Sequence, residues 1–130
     1  MRPKTILDTN VLVSSIFGGE PKRIVEAWEA GSVTLFVSQE IVDEYLNVLG
    51  EFVSRRTLAG WKVAFKKLAI MVNAPKILRT ATHPEDDVFL ACAAASRARY
   101  LVTGDKPLLK ISRYRLTKIV TPAKYLVEIS

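Results

Sequence analysis

The sequence predicts a three-layer α/β/α fold with a central parallel sheet of about five strands, and three observations lead to it. Short apolar segments alternate along the chain with segments of helical periodicity. Asp, Ser or Asn residues follow the apolar segments and suit the starts of helices. The 130 residues, 49% of them hydrophobic, suffice for one well-cored domain and are too few for two. We therefore expect a single domain over residues 1–130. Strands that alternate with helices form parallel sheets covered on both faces, which gives this domain three layers.

The first half of the chain predicts strands that are each followed by a helix. Lys4–Leu7 and Val33–Val37 have the composition of short strands. A helix over Pro21–Ala30 is expected, because Pro suits the first helical turn and the following Gly31 suits the C-terminal cap. Ser38 is a good N-cap for a helix that continues to about Leu49.

The segment Arg55–Val72 predicts an amphipathic helix, because its apolar residues recur at spacings of three and four. These residues are Leu58, Trp61, Phe65, Leu68 and Val72. This stripe, with the apolar helix expected after Pro122, offers more nonpolar surface than one core of this size needs, and a homodimer is therefore expected.

The second half of the chain continues the alternation. Residues 88–95 are apolar on every side, so the helix that contains them should be largely buried, together with the single cysteine, Cys92. The expected elements are a short strand around Ile77, a helix over Glu85–Arg97, strands at Tyr100–Thr103 and Lys118–Thr121, and a closing helix over Pro122–Ile129.

Charge and hydropathy restrict the class of protein. A net charge of +6 and a pI near 9.6 favour polyanionic partners, although they also suit a basic protein that simply stays soluble. The N-terminus lacks the apolar core of a secretory signal, and no run approaches the roughly 18 apolar residues that a membrane span needs. The expectation is a cytoplasmic protein that does not associate with membranes.

Acidic residues follow two of the predicted strands. Asp8 comes directly after the apolar segment TIL, and Asp105 follows YLVTG. Ligands of parallel sheets sit beyond the carboxyl ends of the strands, so the two carboxylates should converge if their strands are neighbours. For either acid alone, a helix cap or a turn is an explanation at least as good.

Two predicted helices add further acids to this edge of the sheet. Glu44 lies at the border of the apolar face of its helix, whereas Asp43 points more nearly away. Glu85, Asp86 and Asp87 occupy the first turn of the buried helix, where acids also complement the helix dipole. Asp87 immediately precedes the buried run and is the acid expected at the edge of the sheet, with Asp86 as the alternative.

A group formed by Asp8, Glu44, Asp87 and Asp105 needs a compensating positive charge, because crowded carboxylates raise one another's pKa. Oxygen ligands without His or Cys favour Mg²⁺ or Mn²⁺. Such ions activate water for attack on phosphate esters, so phosphodiester hydrolysis is the chemistry to test. No protein nucleophile is required.

Five motifs follow one another along the chain: LDTNVLVS, the Ser38–Glu44 helix, EDDVFLACAAA, VTGDKPLL and the ending VTPAKYLVEI. In these motifs the chain resembles the PIN-domain ribonucleases of the toxin type that occur in bacterial and archaeal toxin–antitoxin pairs. The resemblance extends from near residue 5 to near residue 127. It implies a sheet of five parallel strands, an acidic edge that binds Mg²⁺ or Mn²⁺, cleavage of single-stranded RNA, and a cognate antitoxin protein as partner.

Carried over position by position, the resemblance assigns roles to particular residues. The metal ligands and catalytic residues would be Asp8, Glu44, Asp87 and Asp105, and the residues that support them would be Thr9, Asn10, Thr103 and Asp86. Family members commonly form dimers, which agrees with the expected homodimer. Because an acidic edge repels a polyanion, RNA affinity should come from flanking bases, for which Lys62, Lys66, Lys106 and Lys110 are the candidates.

Other functions fit the residues less well. A dinucleotide-binding domain needs a Gly-rich loop after its first strand, where this chain has DTNVLVSS. A noncatalytic module that binds RNA or protein remains an alternative, and the intact set of four acids argues against it. A metal-dependent DNase is the second alternative, because metal and phosphate chemistry does not detect a 2′-hydroxyl.

Overall fold

The computed structural model describes residues 2–74 and 87–130 and has a β-sheet at its centre. In chain order the strands are β1 (Lys4–Leu7), β2 (Thr34–Val37), β3 (Ala69–Met71), β4 (Tyr100–Val102), β5 (Arg113–Tyr114) and β6 (Thr117–Val120). In the described residues their spatial order is β3-β2-β1-β4-β6-β5. Five strands are mutually parallel, and only the two-residue β5 runs antiparallel, beside β6.

Helices connect the strands and cover the sheet. They are α1 (Thr9–Ser14), α2 (Gly19–Glu29), α3 (Gln39–Leu49), α4 (Arg55–Leu68), α5 (Asp87–Ser96), α6 (Lys106–Ile111) and α7 (Pro122–Ile129), with one 3₁₀ turn at Ser15–Phe17 after α1. The predicted three-layer α/β/α architecture with about five parallel strands is confirmed. No helix in the described ranges has both the length and the hydropathy needed to cross a bilayer.

The middle of the sheet is buried, as expected for parallel strands covered on both faces. β4 is buried at all three positions, and β1 and β2 are buried at their last three. The predicted burial of the helix after residue 87 is confirmed, because Phe89, Leu90 and Cys92 are inaccessible or nearly so. Burial raises the pKa of the Cys92 thiol to about 12, which makes this cysteine an inert core residue.

The helix predicted over Arg55–Val72 ends earlier, at Leu68, and the prediction is wrong for its last turn. Ala69–Met71 instead pairs with β2 as a parallel strand. The indole N–H of Trp28 donates to the Leu68 carbonyl at 3.0 Å and stabilises the exit from the helix. Val72 falls at the next helical spacing after Leu68, so the periodicity continued into a segment that tertiary pairing makes a strand.

Helix α6 and strand β5 were also missed in the sequence, whereas the strand predicted at Lys118–Thr121 corresponds to β6. Helix α6 begins with Asp105 as N-cap and a proline in its first turn, a start signal that the sequence does contain. The β5–β6 hairpin turns at Arg115, which has a positive φ of 53°. Such turns favour Gly or Asn, so an arginine there gives no local signal.

Part of the predicted second half lies outside the described residues. The strand expected around Ile77 and the first two positions of the helix expected from Glu85 fall within residues 75–86. From Asp87 onward the helix is confirmed and ends at Ser96.

The apolar stripe on α4 and the C-terminal helix are largely used by the molecule's own core. Phe65 is buried between Trp28, Tyr45 and Trp61, with ring centroids 5.4–5.8 Å apart. Of the five stripe residues only Leu68 is exposed, and Tyr125 of α7 is buried. The surplus of nonpolar surface that suggested a homodimer is therefore smaller than the sequence indicated, and the homodimer itself stays a prediction.

Tyr45 joins α3 to the end of β1. Its side chain is fully buried, and its hydroxyl donates to the carbonyl of Leu7. Lys4 and Thr5 of β1 pair with Thr34 and Leu35 of β2. The Tyr45 hydroxyl therefore bonds a carbonyl that lies just beyond these paired residues. The bond fixes the backbone immediately before Asp8.

Replacing Tyr45 by Phe should lower the free energy of unfolding by about 1–3 kcal/mol, because the buried Leu7 carbonyl loses its hydroxyl donor. Urea denaturation at neutral pH measures the change. Tyr114→Phe is the matched control, since the Tyr114 hydroxyl has no hydrogen bond among the described residues, and its effect should stay within about 0.5 kcal/mol. Equal effects of the two substitutions would contradict the anchoring role of Tyr45.

Candidate active site

Asp8 lies where β1 ends and α1 begins, and its backbone is held on both sides. Its N–H donates to the Val102 carbonyl of β4 at 3.0 Å, and its own carbonyl accepts from Val11 and Leu12 in the first turn of α1. Its carboxylate is the N-cap of α1, with a long 3.4 Å contact from the Asn10 N–H. The residue is only 6% exposed. The parallel pairing of β1 with β4 thus brings Asp8 to the carboxyl end of the sheet.

Thr103 connects Asp8 to Asp105. The Thr103 hydroxyl donates to Oδ2 of Asp8 at 2.6 Å and accepts from the Asp105 N–H at 2.9 Å. Thr103 follows β4 directly and is fully buried. Because a hydroxyl has one proton to donate, these two contacts fix its direction toward Asp8. The predicted supporting position of Thr103 is consistent with this geometry.

Glu44 reaches the same edge from α3. The Thr9 hydroxyl donates to Oε2 of Glu44, and this bond ties α1 to α3. Glu44 is half-buried, whereas the neighbouring Asp43 is exposed and bonded by Gln39 at 2.8 Å. The expected difference between these two acids is therefore observed.

Asp105 caps α6 and faces an open depression. Its Oδ2 accepts from the Leu108 N–H at 3.2 Å. The depression has a volume of about 520 Å³ and is lined by Asn10, Gly104, Asp105, Lys106 and Pro107. Asn10 is exposed at this depression. Its backbone N–H supports Asp8, and its side chain forms no hydrogen bond with Asp8 in the described part of the chain. The cap and the site-facing position of Asp105 coexist, because capping uses one carboxylate oxygen.

Asp87 is buried at the first position of α5. Helix α5 leads into the start of β4, and about 15 Å of helix precedes that start, so its first residue lies toward the carboxyl end of the sheet. Asp86 lies outside the described residues. The preference for Asp87 over Asp86 therefore stays a prediction.

The carboxylates interact electrostatically. The pKa of Asp8 is raised, first by burial and further by the charges of Asp105 and Glu44, while the hydrogen bonds from Thr103 and Asn10 lower it. The one ion pair in the described ranges, Lys118–Glu128 at 2.9 Å, involves neither Asp8, Glu44 nor Asp105. Burial and like charge therefore act on Asp8 without a lysine or arginine from the described chain to offset them.

The acids at this edge are oxygen donors of the kind that hard divalent cations prefer. In residues 2–74 and 87–130 no three His, Cys, Asp or Glu side chains are grouped tightly enough to hold a metal ion by themselves. Mg²⁺ typically takes only one or two carboxylates and fills its other positions with water and phosphate oxygens, so a looser set of oxygen donors suits it. Asp8, Glu44 and Asp105 are the residues that would hold the ion, and Asp87 is the fourth candidate.

The four predicted RNA-binding lysines are all exposed and lie on different parts of the surface. Lys106 borders the depression next to Asp105. Lys110 lies one turn further along α6, and Lys62 and Lys66 lie on α4. Only Lys106 is thus placed directly beside the candidate site.

Tyr45, a buried residue of α3, supports this site although the sequence indicated no role for it. Its hydroxyl anchors the carbonyl that precedes Asp8, and its own pKa is raised well above 10 by burial. A tyrosine on an apolar helix face gives no indication of which carbonyl it will bond. The role therefore had no signal in the sequence.

Comparison with known proteins gives one family match. Residues 4–107 match a family model described as a PIN domain. The matched range includes the described parts of β1 to β4 and all four predicted metal ligands. No curated protein matches the chain.

Asp8→Asn should stabilise the metal-free protein relative to wild type, increasingly as pH rises. The pKa of Asp8 is raised in the folded chain above its ordinary value of 3.8. The Asp8 side chain therefore contributes its full stabilisation of the folded state below pH 3.8, and this stabilisation is lost as the pH rises through the pKa of Asp8 in the folded chain. Above that value the wild type carries a buried charge that Asn lacks. Urea unfolding in EDTA from pH 3.5 to 8 measures the difference. A difference that stays constant with pH, or that favours wild type at pH 8, would count against this account of Asp8.

Proposed function

Because the chain belongs to the PIN-domain family, whose fold is generally that of a nuclease, we propose that it is a metal-dependent endoribonuclease acting on single-stranded RNA. We also propose that it is the toxin of a toxin–antitoxin pair, with the cognate antitoxin protein as its partner. The resemblance of its motifs to toxin-type members from near residue 5 to near residue 127 supports this second proposal.

The arrangement of Asp8, Glu44 and Asp105 is the observation that carries the nuclease proposal. Hydroxyls of Thr9 and Thr103 orient two of the three carboxylates, and both threonines are themselves buried. The charges of Glu44 and Asp105 act on Asp8, so the three acids share one electrostatic environment. Oriented carboxylates of this kind, without a compensating base in the described chain, are what a divalent cation site requires.

Each residue has a distinct part in the proposed reaction. Asp8 is the most rigid ligand, because its backbone and both of its carboxylate oxygens are engaged. Thr103 orients Asp8, and Thr9 orients Glu44. Asp105 borders the open depression, through which a phosphate could approach the acids. Mg²⁺ or Mn²⁺, when bound, would supply the Lewis acidity that activates water and stabilises the departing oxygen.

The substrate is the part of the proposal that depends on resemblance. Metal and phosphate chemistry is the same for DNA and RNA, so the acids do not distinguish them. Cleavage by the purified protein of a panel of single-stranded and structured RNAs and DNAs, with Mg²⁺, Mn²⁺ or EDTA, decides both substrate and metal. Cleavage of DNA alone would favour the DNase alternative. RNA binding without cleavage at any metal concentration would favour the noncatalytic module.

Asp8→Asn should reduce RNA cleavage by at least about a hundredfold, because one ligand charge is lost while the side chain keeps its size. Mg²⁺ or Mn²⁺ should raise the melting temperature of wild type above its value in EDTA, since a ligand that binds only the folded state stabilises it. The same ions should raise the melting temperature of the Asp8→Asn protein much less. Cleavage assays and thermal unfolding measure the two effects independently.

The same comparison identifies the fourth acid. Asp87→Asn should lose more activity than Asp86→Asn, and the exposed Asp43→Asn serves as the matched control with activity near wild type. A larger loss at Asp86 would show that the neighbouring acid is the ligand. Wild-type cleavage by a correctly folded Asp8→Asn protein would falsify the ligand assignment altogether.

RNA affinity should fall steeply with salt, because the proposed contacts are to phosphates. Four lysine contacts to a single strand contribute roughly −3 to the log–log slope, and each loss of Lys62, Lys66, Lys106 or Lys110 should make it shallower by about 0.7. Binding to Asp8→Asn protein across a salt series measures the slope. Lys118→Ala is the control, because its ammonium is already paired with Glu128. A slope that none of the four substitutions changes would remove these lysines from the RNA interface.

A further inference from the structure

Two phenylalanines form an exposed aromatic pair outside the acidic site. The side chains of Phe17 and Phe52 are 72% and 54% exposed. Their ring centroids are 5.6 Å apart and their planes meet at 88°, the edge-to-face geometry that aromatic pairs prefer. Every other aromatic side chain in the described ranges is buried or half-buried. The pair therefore leaves ring surface open to solvent where the fold elsewhere covers it.

Tight backbone turns hold both rings in place. Phe17 ends the 3₁₀ turn, and Gly18 and Gly19 follow it with φ angles of 98° and 74°, values that glycine adopts without strain. Phe52 lies in the turn after α3, where its N–H donates to the Leu49 carbonyl at 2.9 Å. The exposure of the rings is thus a property of ordered turns.

The same pair of helices connects the rings to the acids. The Thr9–Glu44 hydrogen bond joins α1 to α3 near the acidic edge, and the Phe17–Phe52 contact joins the segments that follow these helices. Phe17 comes eight residues after Thr9, and Phe52 comes eight residues after Glu44. The rings therefore lie past the C-terminal ends of α1 and α3, the two helices that carry Thr9 and Glu44.

Two arginines follow Phe52 closely in the chain. Arg55 and Arg56 are exposed in the first turn of α4, where the helix dipole disfavours cations and the residues gain nothing for helix stability. Glu20 and Glu51 are the exposed acids nearest to the rings in sequence. Neither forms an ion pair with an arginine of the described chain. Both guanidinium groups thus remain available to an anionic partner.

We propose that Phe17 and Phe52 form a stacking platform for an unpaired nucleobase of the RNA, on a part of the surface outside the acidic site. Arg55 and Arg56 contact the adjoining phosphates. Open aromatic faces beside basic side chains are the combination with which proteins bind single strands without reading their sequence. This inference rests on the proposed ribonuclease function and adds to it the means by which the strand is held away from the acids.

Binding of single-stranded RNA to Asp8→Asn protein tests the platform. Phe17→Ala and Phe52→Ala should each weaken affinity by roughly five- to a hundredfold, the loss expected for one stacked base. Their salt slopes should remain unchanged, whereas Arg55→Ala and Arg56→Ala should each make the slope shallower by about 0.7. Leu116→Ala and Val127→Ala, at exposed aliphatic residues elsewhere, are the controls and should bind as the parent does.

Two further variants separate stacking from simple hydrophobic contact. Phe17→Trp should keep or increase affinity, and Phe17→Leu should lose it, because leucine is apolar but has no ring face. The fluorescence of 2-aminopurine, placed in turn at successive positions on either side of the cleavage site, should be quenched at one position on binding and recover in Phe17→Ala. Parental affinity in both alanine variants, or in Phe17→Leu, would overturn the proposal.

Light scattering tests the competing explanation that the rings join two copies of the chain. A wild-type dimer that Phe17→Ala converts to a monomer, with RNA affinity lost only through that conversion, would also overturn the proposal. Failure of the platform is distinguishable from failure of the nuclease assignment. If wild type cleaves RNA and the alanine variants bind it normally, only the platform fails. If wild type binds RNA through the rings but never cleaves it, the platform stands and the ribonuclease does not.

Discussion

The burial of Asp8 at the end of β1 is the constraint on which the rest of the site depends. An ionised carboxylate that is nearly inaccessible to water costs free energy unless hydrogen bonds or a cation stabilise it. The chain supplies hydrogen bonds from Thr103 and the first turn of α1, yet it also places Glu44 and Asp105 near enough to raise the pKa of Asp8. Burial and like charge therefore both disfavour the ionised form of the Asp8 carboxylate.

The parallel pairing of β1 with β4 places Asp8 beside the residues that follow β4. It sets Leu7 opposite Val102, so that Asp8 and Thr103 emerge side by side at the carboxyl end of the sheet. Thr103 then links Asp8 to the N–H of Asp105. A one-residue shift of either strand would turn these side chains to opposite faces, because strand side chains alternate. The register of two short strands therefore determines whether the acids meet.

Helices α1 and α3 extend the site along the surface. Thr9 and Glu44 connect them beside the acids, and Phe17 and Phe52 meet beyond their far ends. Tyr45, next to Glu44, holds the carbonyl of Leu7 and so joins the same helix to β1. The proposed RNA cleavage and RNA binding would consequently both depend on the packing of α1 against α3. A displacement of α3 would disturb both.

The sequence by itself determined the alternation of strands and helices, the burial of the helix after Asp87 and the identity of the candidate acids, because periodicity, capping residues and composition are local properties. It could not determine that the helix from Arg55 stops at Leu68, since only pairing with β2 makes Ala69–Met71 a strand. Nor could it show that Phe17 and Phe52 remain exposed and pack against each other. Tertiary structure decided these features, because each depends on which distant segment packs against the residue in the folded chain.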